Sequence, residues 1–292
     1  MRALRIHGYG GPEVLRLDDI PVPTGKVLVK VRAASVNPID WKMRRGMLAG
    51  AFPLTFPRTL GRDCAGDVDG RLYAGVADMR TDGTHAEFAL LPEHQISRVP
   101  AGLDAAAAAS LCVAGLSAYI PLVEIAGVQS GNRVLVHAGA GGVGSLAIQI
   151  ARHLGAQVHA TASAANRDYC VSLGASRVID YRAEGLPDNY YEVILDTIGG
   201  ETHVRSLNAL KAGGLLVALS AAPIPNVDIP VEVKVVMAQI QATRERLQKI
   251  FHWAATGVIR PQISSRFLLQ EGSKAYALSE AGHARGKIVM TL

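Results

Sequence analysis

Val134-Leu-Val-His-Ala-Gly139-Ala-Gly-Gly-Val-Gly144, followed by Ser145-Leu-Ala-Ile-Gln-Ile-Ala-Arg-His-Leu-Gly155, is the stretch whose reading decides the fold. An apolar strand runs into a glycine-rich turn, and the turn opens a helix. The glycines are spaced G-x-G-x-x-G. The first makes the tight turn, the second lets a pyrophosphate approach the backbone, and the third lets helix and strand pack closely. The helix N-terminus then offers N–H groups to the anion. A glycine motif alone is common, but here a strand precedes it, a helix follows, and Gly155 closes that helix before a second strand at 157–162. The context predicts dinucleotide binding by Gly139, Ala140, Gly141, Gly142, Val143 and Gly144, against the plainer reading as a structural turn.

Outward from that turn, strand and helix alternate. Strands are expected at 133–138, 157–162, 177–179, 191–196 and 214–219, with helices at 144–154, 166–173 and 202–210. This is the order of a doubly wound parallel sheet, a Rossmann domain. Residues 1–98 are β-rich instead. The stretch 27–32 alternates, with Val27, Val29 and Val31 on one face. A short strand at 85–91 ends at Pro92, and the glycine-rich turns between the two suggest a compact partial barrel. Asp104 can cap a helix over the alanine run 105–109. A second helix is expected at 115–126. The segment 231–253 reads as a strand or loop leading into a long helix, and 287–290 as a final strand. The expected division is 1–103 with 263–292 as one domain and 104–262 as the cofactor domain.

Composition narrows the functional classes. The chain has 292 residues, 49% hydrophobic and 19% charged, with aromatics at 5% and a net charge of +5. Sparse aromatics and the absence of a run of five like charges argue against a nucleic-acid surface. The one tight basic cluster is Lys42-Met43-Arg44-Arg45. Cys64, Cys112 and Cys170 are scattered, which fits neither a disulfide framework nor a structural zinc site. With no signal-type apolar region and no uninterrupted apolar run of membrane length, a soluble cytoplasmic protein is expected.

The cofactor is expected to be NADPH. NAD sites place Asp or Glu about 20 residues past the first glycine. Here that region is His159-Ala-Thr-Ala-Ser163-Ala-Ala-Asn166-Arg167, and the first carboxylate, Asp168, falls inside the next helix. Ser163 and Asn166 can donate hydrogen bonds to a 2′-phosphate and Arg167 supplies charge. The alternative for Arg167 is a solvated helix-surface charge.

Nearly the whole chain resembles the zinc-independent quinone oxidoreductase branch of the medium-chain dehydrogenase/reductases. The supporting stretches are 8–15, Val27 to Asp40 with its Asn37-Pro-Ile-Asp40, Gly61-Arg-Asp-Cys-Ala-Gly66, the glycine turn, Leu195-Asp-Thr-Ile-Gly-Gly200, Lys211-Ala-Gly-Gly214 and Gly286-Lys-Ile-Val289. The resemblance implies a GroES-like partial β-barrel catalytic domain wrapped around the Rossmann domain, with the active site in the cleft. Zinc alcohol dehydrogenases of the superfamily carry Cys at the position of Asn37 and Gly-His-Glu at 61–63, so metal-free hydride transfer to a quinone or an α,β-unsaturated carbonyl is implied. Asn37 is then expected at the nicotinamide end, with Asp40 holding its loop. Lys42 is a candidate for enolate stabilisation or proton relay, or else a surface charge beside Arg44 and Arg45. Tyr181 matches a tyrosine near the adenosine phosphate, and Gly286 and Lys287 are candidates to line the nicotinamide pocket. The segment 67–84 is shorter than in family members.

Two other functions compete. Residues 152–156 and 159–163 resemble enoyl-reductase domains, which act on enoyl thioesters. A non-catalytic NADPH-sensing or RNA-binding role has only the basic pI of about 9.2 behind it. Family members commonly pair through the edge of the cofactor-domain sheet, and 231–236 is the expected edge of a homodimer.

Overall fold

The computed structural model of the protein describes residues 1–219, 223–224 and 226–292. The chain opens with β1 (Arg2–Ile6), β2 (Leu15–Asp19) and β3 (Leu28–Val36), then helix α1 (Pro38–Arg44). Five short strands follow: β4 (Arg58–Thr59), β5 (Asp63–Val68), β6 (Arg71–Val76), β7 (Phe88–Leu90) and β8 (Ile96–Arg98). Helix α2 (Ala105–Tyr119) leads to β9 (Arg133–Val136), α3 (Gly142–His153), β10 (Gln157–Ala162), α4 (Arg167–Leu173) and β11 (Arg177–Asp180). Next come β12 (Tyr191–Asp196), α5 (Gly200–Ala209), β13 (Leu210–Ala218) and β14 (Lys234–Met237). The chain closes with α6 (Arg244–Ala255), β15 (Ile263–Leu268), α7 (Gly272–Ala281) and β16 (Lys287–Thr291).

By its contacts the chain divides into two units. The first is Met1–Leu116 with Gln241–Gly257 and Pro261–Leu292; the second is Ser117–Ile240 with Val258–Arg260. The division departs from the expected boundaries at 103/104 and 262/263, because most of α2 and all of α6 go with the barrel. The backbone N–H of Val113 on α2 donates to Asp63 Oδ2 at 2.9 Å, and α6 packs on β8.

The barrel unit pairs its strands in the order β15-β16-β3-β5-β6-β8, with β7 on β3 and a separate sheet β2-β1-β4. The C-terminal β16 lies antiparallel to β3, with Ile288 opposite Val36. That pairing places Lys287 beside the end of β3. The expected inward face of 27–32 is present, with Val29 and Val31 buried.

The second unit is a six-stranded parallel sheet ordered β11-β10-β9-β12-β13-β14. The order reverses between β9 and β12, which is the point where ligands bind at the carboxyl ends of strands in such folds. Val134, Leu135 and Val136 are all fully buried, as a strand covered on both faces requires.

The two helices expected at 105–109 and 115–126 are one. Helix α2 runs through Gly115 to Tyr119 and continues as a π-helical stretch, Ile120–Ile125. Gly115 does not break it; a Cβ there would lie 2.8 Å from Ile250 Cγ2, so glycine lets α6 approach. The joined segment Ala105–Ile125 is long and apolar enough to cross a membrane by composition, contrary to the expectation of no such run, and 78% of its apolar 18-residue window is buried inside the protein. It is a core helix.

The basic cluster on α1 also reads differently in three dimensions. Arg44 is fully buried and its Nη2 pairs with Glu280 Oε2 at 2.5 Å, while Arg45 shares Oε1 at 2.6 Å. The Arg44 guanidinium lies 5.7 Å from the Tyr276 ring centroid, and its Nε and Nη1 have no hydrogen-bond partner among the described residues. Neutralisation therefore falls on Glu280. Glu280→Ala is expected to cost about 3 kcal/mol of stability by urea denaturation, by leaving a buried cation without its counter-charge. Adding Arg44→Met is expected to restore most of that loss; a double variant no better than Glu280→Ala would contradict the assignment.

Candidate functional site

The glycine turn leaves the carboxyl end of β9 and is fastened to β10. The Gly139 N–H donates to Thr161 O at 2.8 Å and the Ala138 N–H to Thr161 Oγ1 at 3.1 Å. A Cβ on Gly139 would lie 2.8 Å from the Ala160 Cβ, and one on Gly144 would lie 2.1 Å from Ala138 O. The first and third glycines are therefore fixed by packing. Gly141 is the N-cap of α3 and no side chain caps the helix. The first-turn N–H groups of a helix have no partner within it, so Gly142, Val143 and Gly144 present donors with no side chain across them. The sites fit a pyrophosphate.

Ser163 follows β10 and precedes a single 3-10 turn, Ala164–Asn166; its Oγ accepts from Asn166 Nδ2 at 3.2 Å. Arg167 is not a free charge. It donates to Val178 O at 2.7 Å and pairs with Glu184 at 3.1 Å, and Arg177 also reaches Glu184, at 3.4 Å. Tyr181 is 53% exposed, with the Arg182 guanidinium 5.4 Å from its ring centroid. Arg167 and Arg177 thus share the Glu184 carboxylate, while Asp180 Oδ1 accepts the Arg182 N–H at 3.0 Å, so arginines and carboxylates meet after β11. Glu184 itself escaped the sequence reading because it lies on the loop after β11.

Beside the glycine turn, the loop after β12 is held by Asp196. Its Oδ1 accepts the N–H groups of Ile198 and Gly199, each at 2.9 Å, and its Oδ2 meets His203 Nδ1 at 2.9 Å. Thr197 Oγ1 donates to His137 O at 3.0 Å, which ties this loop to the residue before the turn. Burial pushes the His137 imidazole down to about 4, so it is neutral.

In the barrel unit a second polar set is sealed from solvent. Asn37, at the N-cap of α1, is 3% exposed. Its Nδ2 donates to Asp63 Oδ1 at 3.0 Å and to Ser35 Oγ at 3.4 Å, and its Oδ1 accepts from Lys287 Nζ at 2.5 Å. Both ends of the amide are engaged. Asp63 Oδ1 also accepts from Ser35 Oγ at 2.6 Å. Asp40 Oδ2 accepts the Asn37 N–H at 2.8 Å and holds the loop, as the resemblance implied. His85 bridges Ser35 O at 3.2 Å and the Tyr276 hydroxyl at 2.9 Å; burial brings it down to about 4, so Nε2–H donates to Ser35 O and Nδ1 accepts from Tyr276. Lys42 is half-buried on α1 with Nζ 5.7 Å from the Trp41 ring centroid, and burial lowers its ammonium below the usual lysine range.

Of the expected residues, the structure joins Asn37 to Lys287 directly and sets the six turn residues 139–144 together. It places Lys42 five residues after Asn37 on the same short helix. The Asn37–Lys287 contact spans 250 positions, and no local signal in the sequence announces it.

The donors near Asn37 do not suit zinc. Asn37 Oδ1 already faces an ammonium, and Arg62 is a further cation in the same region. Burial raises the Cys64 and Cys112 thiols, the opposite of a metal-ready thiolate. Among the described residues no group of three or more His, Cys, Asp or Glu is placed to hold a metal ion.

Two family models match the chain: one described as an alcohol dehydrogenase GroES-like domain, over residues 23–71, and one described as a zinc-binding dehydrogenase, over 173–290. The chain is 32% identical to a chloroplast envelope quinone oxidoreductase homolog of Arabidopsis thaliana, over 99% of this chain and 98% of the relative. It is 32% identical to that plant's chloroplastic NADPH-dependent alkenal/one oxidoreductase, over 99% of this chain and 79% of the relative. A quinone oxidoreductase from Coxiella burnetii superposes with a TM-score of 0.91 at 32% identity, covering 100% of this chain and 99% of that one. The chain belongs to the quinone oxidoreductase branch of the medium-chain dehydrogenase/reductase superfamily, with a GroES-like barrel and a Rossmann sheet.

Asp40 gives the site a pH signature. Burial first, and Asp63 nearby, raise its carboxyl from 3.8 to about 7, against the Asn37 N–H, Lys287 and Arg62, which lower it. A carboxyl raised on folding stabilises the fold at low pH, and that contribution is lost as pH climbs from about 4 to about 7. Asp40→Asn, neutral throughout, is therefore expected to gain stability relative to the parent between pH 5 and pH 8 in thermal melts. Parallel curves for the two proteins would contradict the assignment.

Proposed function

We propose that this protein is an NADPH-dependent reductase that sends a hydride to quinones and α,β-unsaturated carbonyls without a metal. The observation that carries the reading is the uncapped start of α3 behind the Gly139–Gly144 turn, in a chain similar along its length to quinone and alkenal/one oxidoreductases. The parallel-sheet unit holds the dinucleotide, and the barrel unit supplies the groups that handle the acceptor.

When bound, the dinucleotide supplies the hydride; the chain's own residues bind, orient and manage the proton. Gly139, Ala140, Gly141, Gly142, Val143 and Gly144 receive the pyrophosphate. Ser163 and Tyr181 flank the adenosine end, where Arg167, Arg177 and Arg182 offer guanidinium groups to a 2′-phosphate. Lys42 is the acid: its ammonium is half-buried on α1 and burial lowers it from the usual lysine range, and such a group can steady negative charge on the acceptor oxygen and then yield a proton. Asn37 serves the nicotinamide end as part of the barrel wall, and Lys287 acts there by holding the Asn37 amide oxygen. The cationic surroundings of Asn37 support metal-free chemistry.

For assembly we favour a homodimer. Strand β14 (Lys234–Met237) ends the parallel sheet with Val236 and Met237 exposed, the kind of open edge that pairs with a second copy. Cys64, Cys112 and Cys170 are buried thiols in no disulfide, which supports a reducing, cytoplasmic setting.

Three measurements test this reading. NADPH oxidation is expected with a p-quinone and with an α,β-unsaturated ketone, faster than with NADH; turnover confined to an enoyl thioester would contradict the substrate class. Lys42→Met is expected to lower kcat about a hundredfold with KM for NADPH unchanged, the usual size of a general-acid contribution; unchanged kcat would remove Lys42 from the chemistry. Sedimentation is expected to give twice the chain mass, and a mass of one chain would exclude the dimer.

A further inference from the structure

Lys287 is a buried amine whose ammonium form burial disfavours and Asp63 and Asp40 favour, and its acceptors are Asn37 Oδ1 at 2.5 Å and Val36 O at 3.3 Å, neither of them a carboxylate. Taking an ammonium out of water is costly unless it is well paired, and an apolar side chain of similar volume often stabilises a core more. As a device for stability alone this arrangement is poor. What it does provide is orientation. The ammonium requires an oxygen opposite it, so the Asn37 amide turns its oxygen to Lys287 and its NH2 to Asp63. Asp63 is fixed in turn, because its Oδ2 accepts from Val113 on α2. The amide is thus clamped between a cation and an anion, each on a different element.

Asn37 is also where α1 begins. Pro38 opens the helix, Asp40 reaches back to the Asn37 N–H, and Lys42 follows one turn on. A helix of seven residues has too few internal bonds to hold its own place, so its start has to be set from outside. We propose that Lys287 is a positioning residue: through Asn37 it fixes the start of α1 and thereby the place of Lys42. The inference rests on the reading of Lys42 as the acid, but its structural half stands apart from any turnover.

Lys287→Met tests it by hydrogen exchange of the full chain and by kinetics. The amides of α1 are expected to exchange about tenfold faster, with β3, β5 and β16 unchanged, because only the clamp on α1 is released. The kcat is expected to fall about tenfold or more with KM for NADPH unchanged, as for a misplaced group. Asn37→Ala with Lys287→Met is expected to be no worse than Asn37→Ala alone, since both act through one contact. Lys287→Gln, which retains a donor to the Asn37 oxygen, is expected to recover part of kcat; Lys287→Met separates this from simple loss of fold if its thermal midpoint holds. Exchange in α1 at the parent rate, acceleration across the whole barrel, additive losses with Asn37→Ala, or a raised KM for NADPH would each overturn the proposal. If the parent protein reduces neither quinone nor enone, the functional reading fails, and exchange in α1 still decides the clamp.

Discussion

An ammonium in a protein interior has to be answered by acceptors, and the answer given to Lys287 shapes the barrel unit. The lysine comes from β16, its partner Asn37 from the end of β3, the next link Asp63 from the start of β5, and the last donor, Val113, from α2. Four elements far apart in the chain are linked through one amide and the carboxylate beside it. The surrounding groups are shifted by the same enclosure: His85 is neutral, Asp40 is raised to about 7, and the cysteines are held as thiols. Burial is the leading cause in each case. The set is satisfied internally, which is the condition for keeping polar groups in a core.

The parallel-sheet unit solves a different problem, leaving backbone bare at the start of α3. Its solution is subtraction. Side chains are absent where they would collide with Ala138 O or Ala160, and no side chain caps α3. Thr161, Thr197 and Asp196 then fasten the turn and the neighbouring loop with their own oxygens.

Much of this was legible in the sequence. Strands β10 and β12 match their expected bounds, because alternating and continuous apolar runs are local properties. The glycine turn was legible for the same reason. The single helix α2 was not, since Gly115 resembles a breaker until Ile250 is seen against it. Nor was the burial of Arg44, which depends on Glu280 some 236 residues away. The reading of Arg167 as a charge for the cofactor missed Glu184, which neutralises part of it from another loop. Lys287 stands out in the sequence by its place in a motif, but its partner lies 250 positions away and only the fold brings the two together. Local chemistry was readable, and long-range pairing was not.

The central claim is direct hydride transfer to a conjugated carbonyl in the absence of a metal. It is tested most directly by offering NADPH deuterated at the nicotinamide C4, with an α,β-unsaturated ketone, to protein purified and assayed in a chelator. The account predicts deuterium at the β-carbon of the saturated ketone. No transfer, or transfer that appears only after zinc is restored, would contradict it.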